Sequence, residues 1–495
     1  MGIILRQSFK GTIISYLGVF IAYLNLIIIL PYCLDLDQIG VVRLAIEASV
    51  FFSLFFQLGA PYILIRFKPI SEKENLKGIL GVAGLFALIG IGVFMIFFSL
   101  FKEEIGEFYV ERSEDFVKYI DYVLPFAIII ILNNLLERYS HANKRIVVPG
   151  FLKEVFLRIS LGSIVVLYFL EIISFEQVIQ GIIVSYVLQF LVLLFYTNRL
   201  APIQLRPSKL MLSRTYVSQI GSYAGFVTVG AIGGGLVGKL DIIMLGSLAG
   251  LNEIGIYSTM FYLATIIEMP RRALMQISNP IIAEHIANDE IDKVASLYKK
   301  TSINQLIVGT ILFLLIWFNI DALFDLMPKG EVFRNGKWVV FIVGVTKLYD
   351  LATGINSQIL LNSKFYRFSL IAIFLLSILA IASNYLLIPR FGIEGAAAAT
   401  LISIFLFNSL LLGFIYMKFK IQPFSLQTLK LLLLVALLYI GMSFFPEISN
   451  PFLSIAVKTI ILTCLFVGFV YFTRISEDIN ELIRNILQRI KLLKP

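Results

Sequence analysis

Cysteine and histidine are nearly missing from this chain, with two of each in 495 residues. Cys33 and Cys464 support no disulfide framework, and His141 and His285 are too few for a histidine metal cluster. No metal site and no cofactor are expected. Charge is scarce as well: 15% of residues are charged, against 59% hydrophobic. A soluble domain of this size needs a far more charged surface. There is no GxxxxGK[ST] phosphate loop and no His or Cys pattern suited to a nucleophile. An enzyme is therefore not expected.

What the chain has is long apolar runs. A spanning helix takes about 20 apolar residues. Runs of that kind are expected at 11–32, 41–65, 78–100, 119–137, 146–170, 178–197, 223–247, 256–276, 303–325, 338–360, 368–388, 394–417, 428–445 and 452–472. The 43 phenylalanines and 22 tyrosines suit acyl chains and headgroups. The expected fold is an all-α polytopic membrane protein of about 14 transmembrane helices. Two pseudo-symmetric six-helix bundles, 1–197 and 223–417, are joined by a cytosolic linker, 198–222, where Pro202 and Pro207 discourage a continuous helix. Two additional helices, 418–473, precede an amphipathic tail, 474–495, in which Ile475, Ile479, Leu482, Ile486 and Ile490 recur at helical spacing. The start, MGIILRQSFK, leads into an apolar run with no small-residue cleavage site, so no cleavable signal peptide is expected.

The net charge of +9 does not indicate nucleic acid, because the cations lie between apolar runs rather than in one basic domain. Placing the N-terminus in the cytosol puts most lysines and arginines on that side, among them Arg66, Lys68, Lys73, Arg138, Arg206, Lys209, Lys293 and Lys299. Both termini are then cytosolic. The segment 101–118, with Glu103, Glu104, Glu107, Glu111, Glu114 and Asp115, falls outside.

The stretch 225–256 draws the most attention. It is rich in glycine and carries Lys239 and Asp241 inside an apolar run. It ends in Leu251-Asn252-Glu253-Ile254-Gly255-Ile256, which matches Leu36-Asp37-Gln38-Ile39-Gly40-Val41 near the N-terminus. Weak internal symmetry of this kind marks secondary transporters. Charges inside spans are costly and tend to face a cavity or a partner. Arg43 and Glu47, four apart, share a helix face and can pair, as can Lys347 and Asp350, three apart. Lys239 and Asp241, two apart, do not face each other on a regular helix, although the Gly233–Gly238 run can break or bend it. Arg158 is read as standing mid-span without a local acidic partner. Arg43, Arg158, Lys239 and Lys347 are the candidate substrate-binding cations. Glu47, Asp241 and Asp350 are candidates for ion coupling or charge pairing. Glu394 and Lys458 lie close enough to an interface to snorkel. His285 is read as part of a loop between spans.

The run Gly238-Lys239-Leu240-Asp241-Ile242-Ile243-Met244-Leu245-Gly246, followed by Gly255-Ile256-Tyr257, resembles bacterial polysaccharide flippases. These are the Wzx-like O-antigen and capsule repeat-unit translocators of the multidrug/oligosaccharidyl-lipid/polysaccharide exporter superfamily. Asn279-Pro280-Ile281-Ile282-Ala283 is similar to the family too, as are Asn384 to Pro389 and Gly392 to Thr400. The likeness covers the first twelve spans and is sharper in the second half. It departs at Lys239, where arginine is common; charge is kept and the planar fork lost. The resemblance implies a bacterial inner-membrane protein that moves an undecaprenyl-diphosphate-linked oligosaccharide to the outer leaflet by alternating access. It implies membrane lipids and the lipid-linked oligosaccharide as partners, with a polysaccharide polymerase and chain-length proteins as further candidates. Coupling to a proton or sodium gradient stays open.

Two other readings stay open. An ion-coupled drug or metabolite antiporter of the same superfamily would use an acidic site in a largely apolar cavity, which the excess of embedded cations disfavours. A non-transporting scaffold of a polysaccharide assembly complex would need those charges salt-bridged and no cavity. A membrane glycosyltransferase or polymerase would need large outer loops, which this chain lacks.

Overall fold

The computed structural model describes residues 3–74, 76–201, 203–211 and 213–489. The expected Ile490 at the end of the tail lies outside them. The described chain is helical and contains no strand. Nine described helices are long and apolar enough to cross a membrane, and a bent one makes ten. Helix α1 runs Ile3–Leu24, passes through a π turn, Asn25–Ile29, and ends in Leu30–Cys33. It is followed by α2 (Leu36–Phe56), α3 (Ala60–Lys73), α4 (Ile79–Val117) and α5 (Val123–Ala142). Helix α6 is Val147–Phe151, a second π turn at Leu152–Phe156, and Leu157–Phe169; α7 is Phe175–Leu200 and α8 is Arg214–Leu248. Helix α9 runs Leu251–Ala264, tightens to a 3-10 turn at Thr265–Glu268, and resumes over Met269–Ala287. Then come α10 (Ile291–Leu326), α11 (Lys337–Ala352), α12 (Asn356–Leu361) and α13 (Tyr366–Phe419). The last three are α14 (Leu426–Ser443), α15 (Pro451–Thr473) and α16 (Glu477–Arg489).

Several helices are longer than one span, and the backbone shows where they divide. Helix α13 has 54 residues, roughly 80 Å at 1.5 Å per residue, against a hydrocarbon core of about 30 Å. It breaks at Gly392, whose φ of 55° and ψ of −130° only glycine adopts readily. That makes two spans of it, where 368–388 and 394–417 were expected. Helix α8 bends by 59° between Gly233 and Gly238, as the glycine run leads one to expect. The fourteen-helix plan fits this architecture.

The segment 101–118 is no loop. Helix α4 continues through it to Val117, with one non-helical residue at Ser113. There Ser113 Oγ donates to the Gly246 carbonyl at 2.6 Å, tying the end of α4 to α8. His285, read from sequence as a loop residue, sits in the last turn of α9, with Nδ1 2.6 Å from Glu290 Oε2. Within the tail, Glu477–Arg489 is helical and held down: Asp478 meets Lys300 at 2.8 Å, and Ser476 Oγ donates to Asn304 at 2.5 Å.

By internal contacts the chain separates into Met1–Gly255 and Ile256–Pro495. In the first unit α5 packs against α2, α3 and α7, and α8 packs against α2 and α4. In the second, α10 packs against α11 and α15, and α11 against α13. The two copies of the repeated motif meet inside the first unit. A Cβ on Gly40 would lie 2.2 Å from the Leu251 carbonyl oxygen, and one on Gly255 would lie 2.6 Å from that of Leu36. The contact is reciprocal, copy on copy, and only the missing side chains permit it.

Candidate functional site

A cavity of about 350 Å³ opens within the first unit between α2, α5, α6 and α7. Its charged wall comes from α2 and α6, with Arg43, Lys153, Glu154 and Arg158, joined by Glu137 of α5. Its neutral polar wall comes from α5 and α7, chiefly Asn133, Asn134, Ser185, Tyr186 and Gln189. Arg43, Asn133, Arg158 and Gln189 all stand well inside their helices, away from the ends, so the polar groups gather deep in the span. A smaller void of about 40 Å³ beside Tyr109 is lined almost wholly by apolar side chains and has no room for a headgroup.

Arg158 owes its place to the two π turns. Each π turn shifts the helix hydrogen-bond ladder, and such bulges recur at functional sites. Here Asn25, in the π turn of α1, donates through Nδ2 to the Arg158 carbonyl at 2.6 Å. The helices approach closely enough that a Cβ on Gly162 would fall 2.5 Å from Asn25 Oδ1. The guanidinium then reaches back one turn, with Nη2 2.5 Å from Glu154 Oε2. Arg158 therefore has a local acidic partner after all. The pair follows the same four-residue spacing as Arg43 and Glu47, so Glu154 was legible in the sequence and was passed over. A second pair, Lys153 Nζ to Glu137 Oε2, closes at 3.1 Å. The Arg158 Nη1 nitrogen is buried and has no protein partner.

The other candidates fall as follows. Lys239 Nζ lies 2.5 Å from Glu47 Oε2, so the second-half signature is tied to α2. Glu47 and Asp241 are both buried, at 3% and 2% exposure. The expected Lys347–Asp350 pair does not form. Lys347 Nζ reaches Glu268 Oε2 at 2.5 Å, and Asp350 pairs with Arg271. Asp350 also accepts from Asn408 Nδ2 at 3.0 Å. Both pairs join α9 to α11 at the same sequence offset, as neighbouring parallel helices require. Arg43 and Arg158 thus share the cavity of the first unit, and Lys347 lies in the second unit. Among the described residues, no three His, Cys, Asp or Glu side chains form a metal site.

Sequence reading searched the spans for charges and passed over amides. Asn133, Asn134 and Gln189 were visible as lone amides in apolar runs, a signal of the same kind as an embedded charge. Glu268 and Arg271 were also missed, although their spacing of three matches that of Lys347 and Asp350.

The described chain is thus a helical membrane protein with broken spans and a charged cavity deep inside one unit. Residues 8–284, more than half of the chain, match the family described as "Polysaccharide biosynthesis protein". The chain belongs to that family. No curated protein matches the sequence. Among solved structures, the chain is similar to a lipid II flippase, MurJ, in an inward closed conformation. The TM-score is 0.67 at 15% identity, covering 95% of this chain and 100% of that one. It is similar to an inward-facing MATE-family multidrug resistance transporter, with a TM-score of 0.64 at 12% identity over 82% of this chain and 94% of that one. The Vibrio cholerae MATE transporter VcmN gives 0.56 at 12% identity, over 84% and 97%. These likenesses show the fold.

Proposed function

We propose that the protein carries a lipid-linked oligosaccharide, borne on undecaprenyl diphosphate, from the cytosolic to the outer leaflet of a bacterial inner membrane by alternating access. The observation that carries this reading is the balance of charge in the cavity. Arg43, Lys153 and Arg158 face Glu137 and Glu154, so cations outnumber acids. A diphosphate is an acceptor-only anion at neutral pH, and charge-assisted bonds to arginine are its strongest partners. Family membership supports a place in polysaccharide biosynthesis, and on this reading the product is a surface polysaccharide such as capsule or lipopolysaccharide. Lys239 and Lys347 remain further candidate cations, each now with an acidic partner that substrate has to compete with. Glu47, Asp241 and Asp350 tune those cations or take part in coupling to a proton or sodium gradient. On this reading 1–197 and 223–417 are homologous bundles joined by 198–222, both termini are cytosolic, and the polymerase and chain-length proteins act on the product.

The antiporter reading retains one specific support, the burial of the acids Glu47 and Asp241. Reconstituted vesicles separate the two. Purified protein should move a labelled undecaprenyl-diphosphate-linked sugar between leaflets. Arg43→Ala and the double variant Arg158→Ala with Glu154→Gln should lower the rate per inserted protein, and Arg43→Lys should retain more. Wild-type rates in both arginine variants, or no lipid movement by the wild type, would defeat the proposal.

A further inference from the structure

The neutral wall of the cavity asks for something a diphosphate does not have. Asn133 Nδ2 donates to two carbonyls, Ile129 at 3.0 Å and Tyr186 at 2.9 Å. Those two acceptors fix the sense of the amide, since a flipped group would set oxygen against oxygen. The end left over is Oδ1, an acceptor, and it is buried without a donor. Gln189 Oε1, on α7, is also buried without a donor in the assigned sense of its amide, which no bond to Nε2 fixes. Asn133 is 4% exposed and Gln189 3%. Arg158 Nη1, on the charged wall, is a buried donor without an acceptor. Buried polar atoms left unmatched are costly, and each calls for an explanation.

We propose that this wall is a sugar-reading subsite. It takes the ring nearest the diphosphate, one bearing hydroxyl or acetamido donors. Such a ring offers O–H or N–H groups to Asn133 Oδ1 and Gln189 Oε1 and an oxygen to Arg158 Nη1. The diphosphate bridge itself, fully ionised at neutral pH, offers acceptors alone and satisfies only the arginine. An apolar drug satisfies none of the three. The cavity, about 350 Å³, is within the span of roughly 300–1,000 Å³ usual for small-ligand sites. The division of labour is then spatial: α2 and α6 hold charge, and α5 and α7 choose the sugar. Specificity of this kind is strong because a ligand lacking the donor leaves a buried acceptor unpaired.

The inference rests on the proposed function, and its test reads a ratio. Full-length protein in lipid nanodiscs is titrated with undecaprenyl diphosphate and, separately, with undecaprenyl-diphosphate N-acetylglucosamine. The wild type should bind the sugar-bearing lipid more tightly. Gln189→Met, which keeps the volume and removes the acceptor, should lower that preference by about tenfold, the worth of one such buried bond. Gln189→Glu keeps an oxygen in place and should retain more of the preference. A merely structural glutamine would weaken both lipids alike and leave the ratio unchanged. An unchanged ratio in Gln189→Met, or equal wild-type affinity for the two lipids, overturns the subsite and shows that only water serves these atoms, leaving the transport reading intact. Failure of the wild type to bind either lipid would overturn both.

Discussion

Lys239 Nζ and Glu47 Oε2 stand 2.5 Å apart, joining α8 just past its bend to α2. The Glu47 side chain is 4% exposed and the Lys239 side chain 27%. Removing one member of a buried pair strands the other, at about 3–5 kcal/mol for full burial, and the partial exposure of Lys239 reduces that. Lys239→Ala is therefore expected to lower the amount of membrane-inserted protein together with transport. Adding Glu47→Gln should restore abundance, and the transport of the double variant per inserted protein then reports what Lys239 does for substrate. Lys239→Arg should keep both. Wild-type accumulation of Lys239→Ala alone would show that the pair does not hold α8 in place.

The Gly40 and Gly255 contact predicts a graded pair of defects. A methyl group on Gly40 meets the Leu251 carbonyl at 2.2 Å, and one on Gly255 meets that of Leu36 at 2.6 Å. Both neighbours are backbone and cannot rotate away. Gly40→Ala should cost roughly 1–3 kcal/mol, in the range for overpacking, and Gly255→Ala less. Thermal unfolding of detergent-solubilised protein measures both, and an unshifted midpoint in Gly40→Ala would contradict the close approach.

In the second unit, the pairs Glu268–Lys347 and Arg271–Asp350 replace the expected Lys347–Asp350 pair. Double-mutant cycles on stability should give a coupling of about 0.5–3 kcal/mol for each cross-helix pair and a smaller one for Lys347 with Asp350. The reverse order would mean that α9 and α11 are in another register.

Topology is open to labelling. Ser113 is buried at the α4 kink, so Glu114, which is exposed, is the better reporter for the outer side. Lys209, exposed in the linker, reports on the inner side. In a background lacking Cys33 and Cys464, an impermeant thiol reagent applied to intact cells should reach Glu114→Cys and spare Lys209→Cys. The opposite pattern would invert the assigned orientation.

The docked tail predicts a response to acid. Burial pushes the Asp478 carboxyl up, but hydrogen bonds from Lys300 and Asn304 outweigh it and hold the group below its ordinary value. A depressed carboxyl stabilises the docked form above its unfolded pKa. That contribution is lost as pH falls through the folded value. Protection factors of 477–489, which remove the intrinsic pH dependence of amide exchange, should therefore fall under acid conditions, below the usual carboxylate range, and Asp478→Asn should flatten the response. Protection factors that stay constant with pH in the wild type would remove Asp478 as the clasp.

Much of the fold was legible because lipid imposes a simple rule. Backbone groups with no water to bond must pair within a helix, so the apolar runs alone announced the spans, among them the separate runs 368–388 and 394–417, and the Gly233–Gly238 run announced a break. The repeated Leu36–Val41 and Leu251–Ile256 motif was visible too, though not that its two glycines seat each copy on the other's backbone. Helix partners were not legible. Arg43, Arg158, Lys239 and Lys347 could be recognised as embedded charges. Glu154, four residues before Arg158, follows from spacing on one helix and was passed over; Glu47 for Lys239 and Glu268 for Lys347 were not legible, because they depend on which faces two distant helices turn toward each other.

The sequence by itself determined that this is a helical membrane protein, where most of its apolar spans lie, and that cations outnumber acids among the charges read as embedded in them. Local hydrogen bonding and apolar length decide those things, and both are written residue by residue. Only the tertiary structure decided that Arg43 and Arg158 meet Asn133 and Gln189 around one cavity, and that Glu47 holds Lys239. Those contacts depend on how closely helices distant in sequence can approach, and that distance is set by packing at positions such as Gly40, Gly162 and Gly255 rather than by the identity of the polar residues themselves.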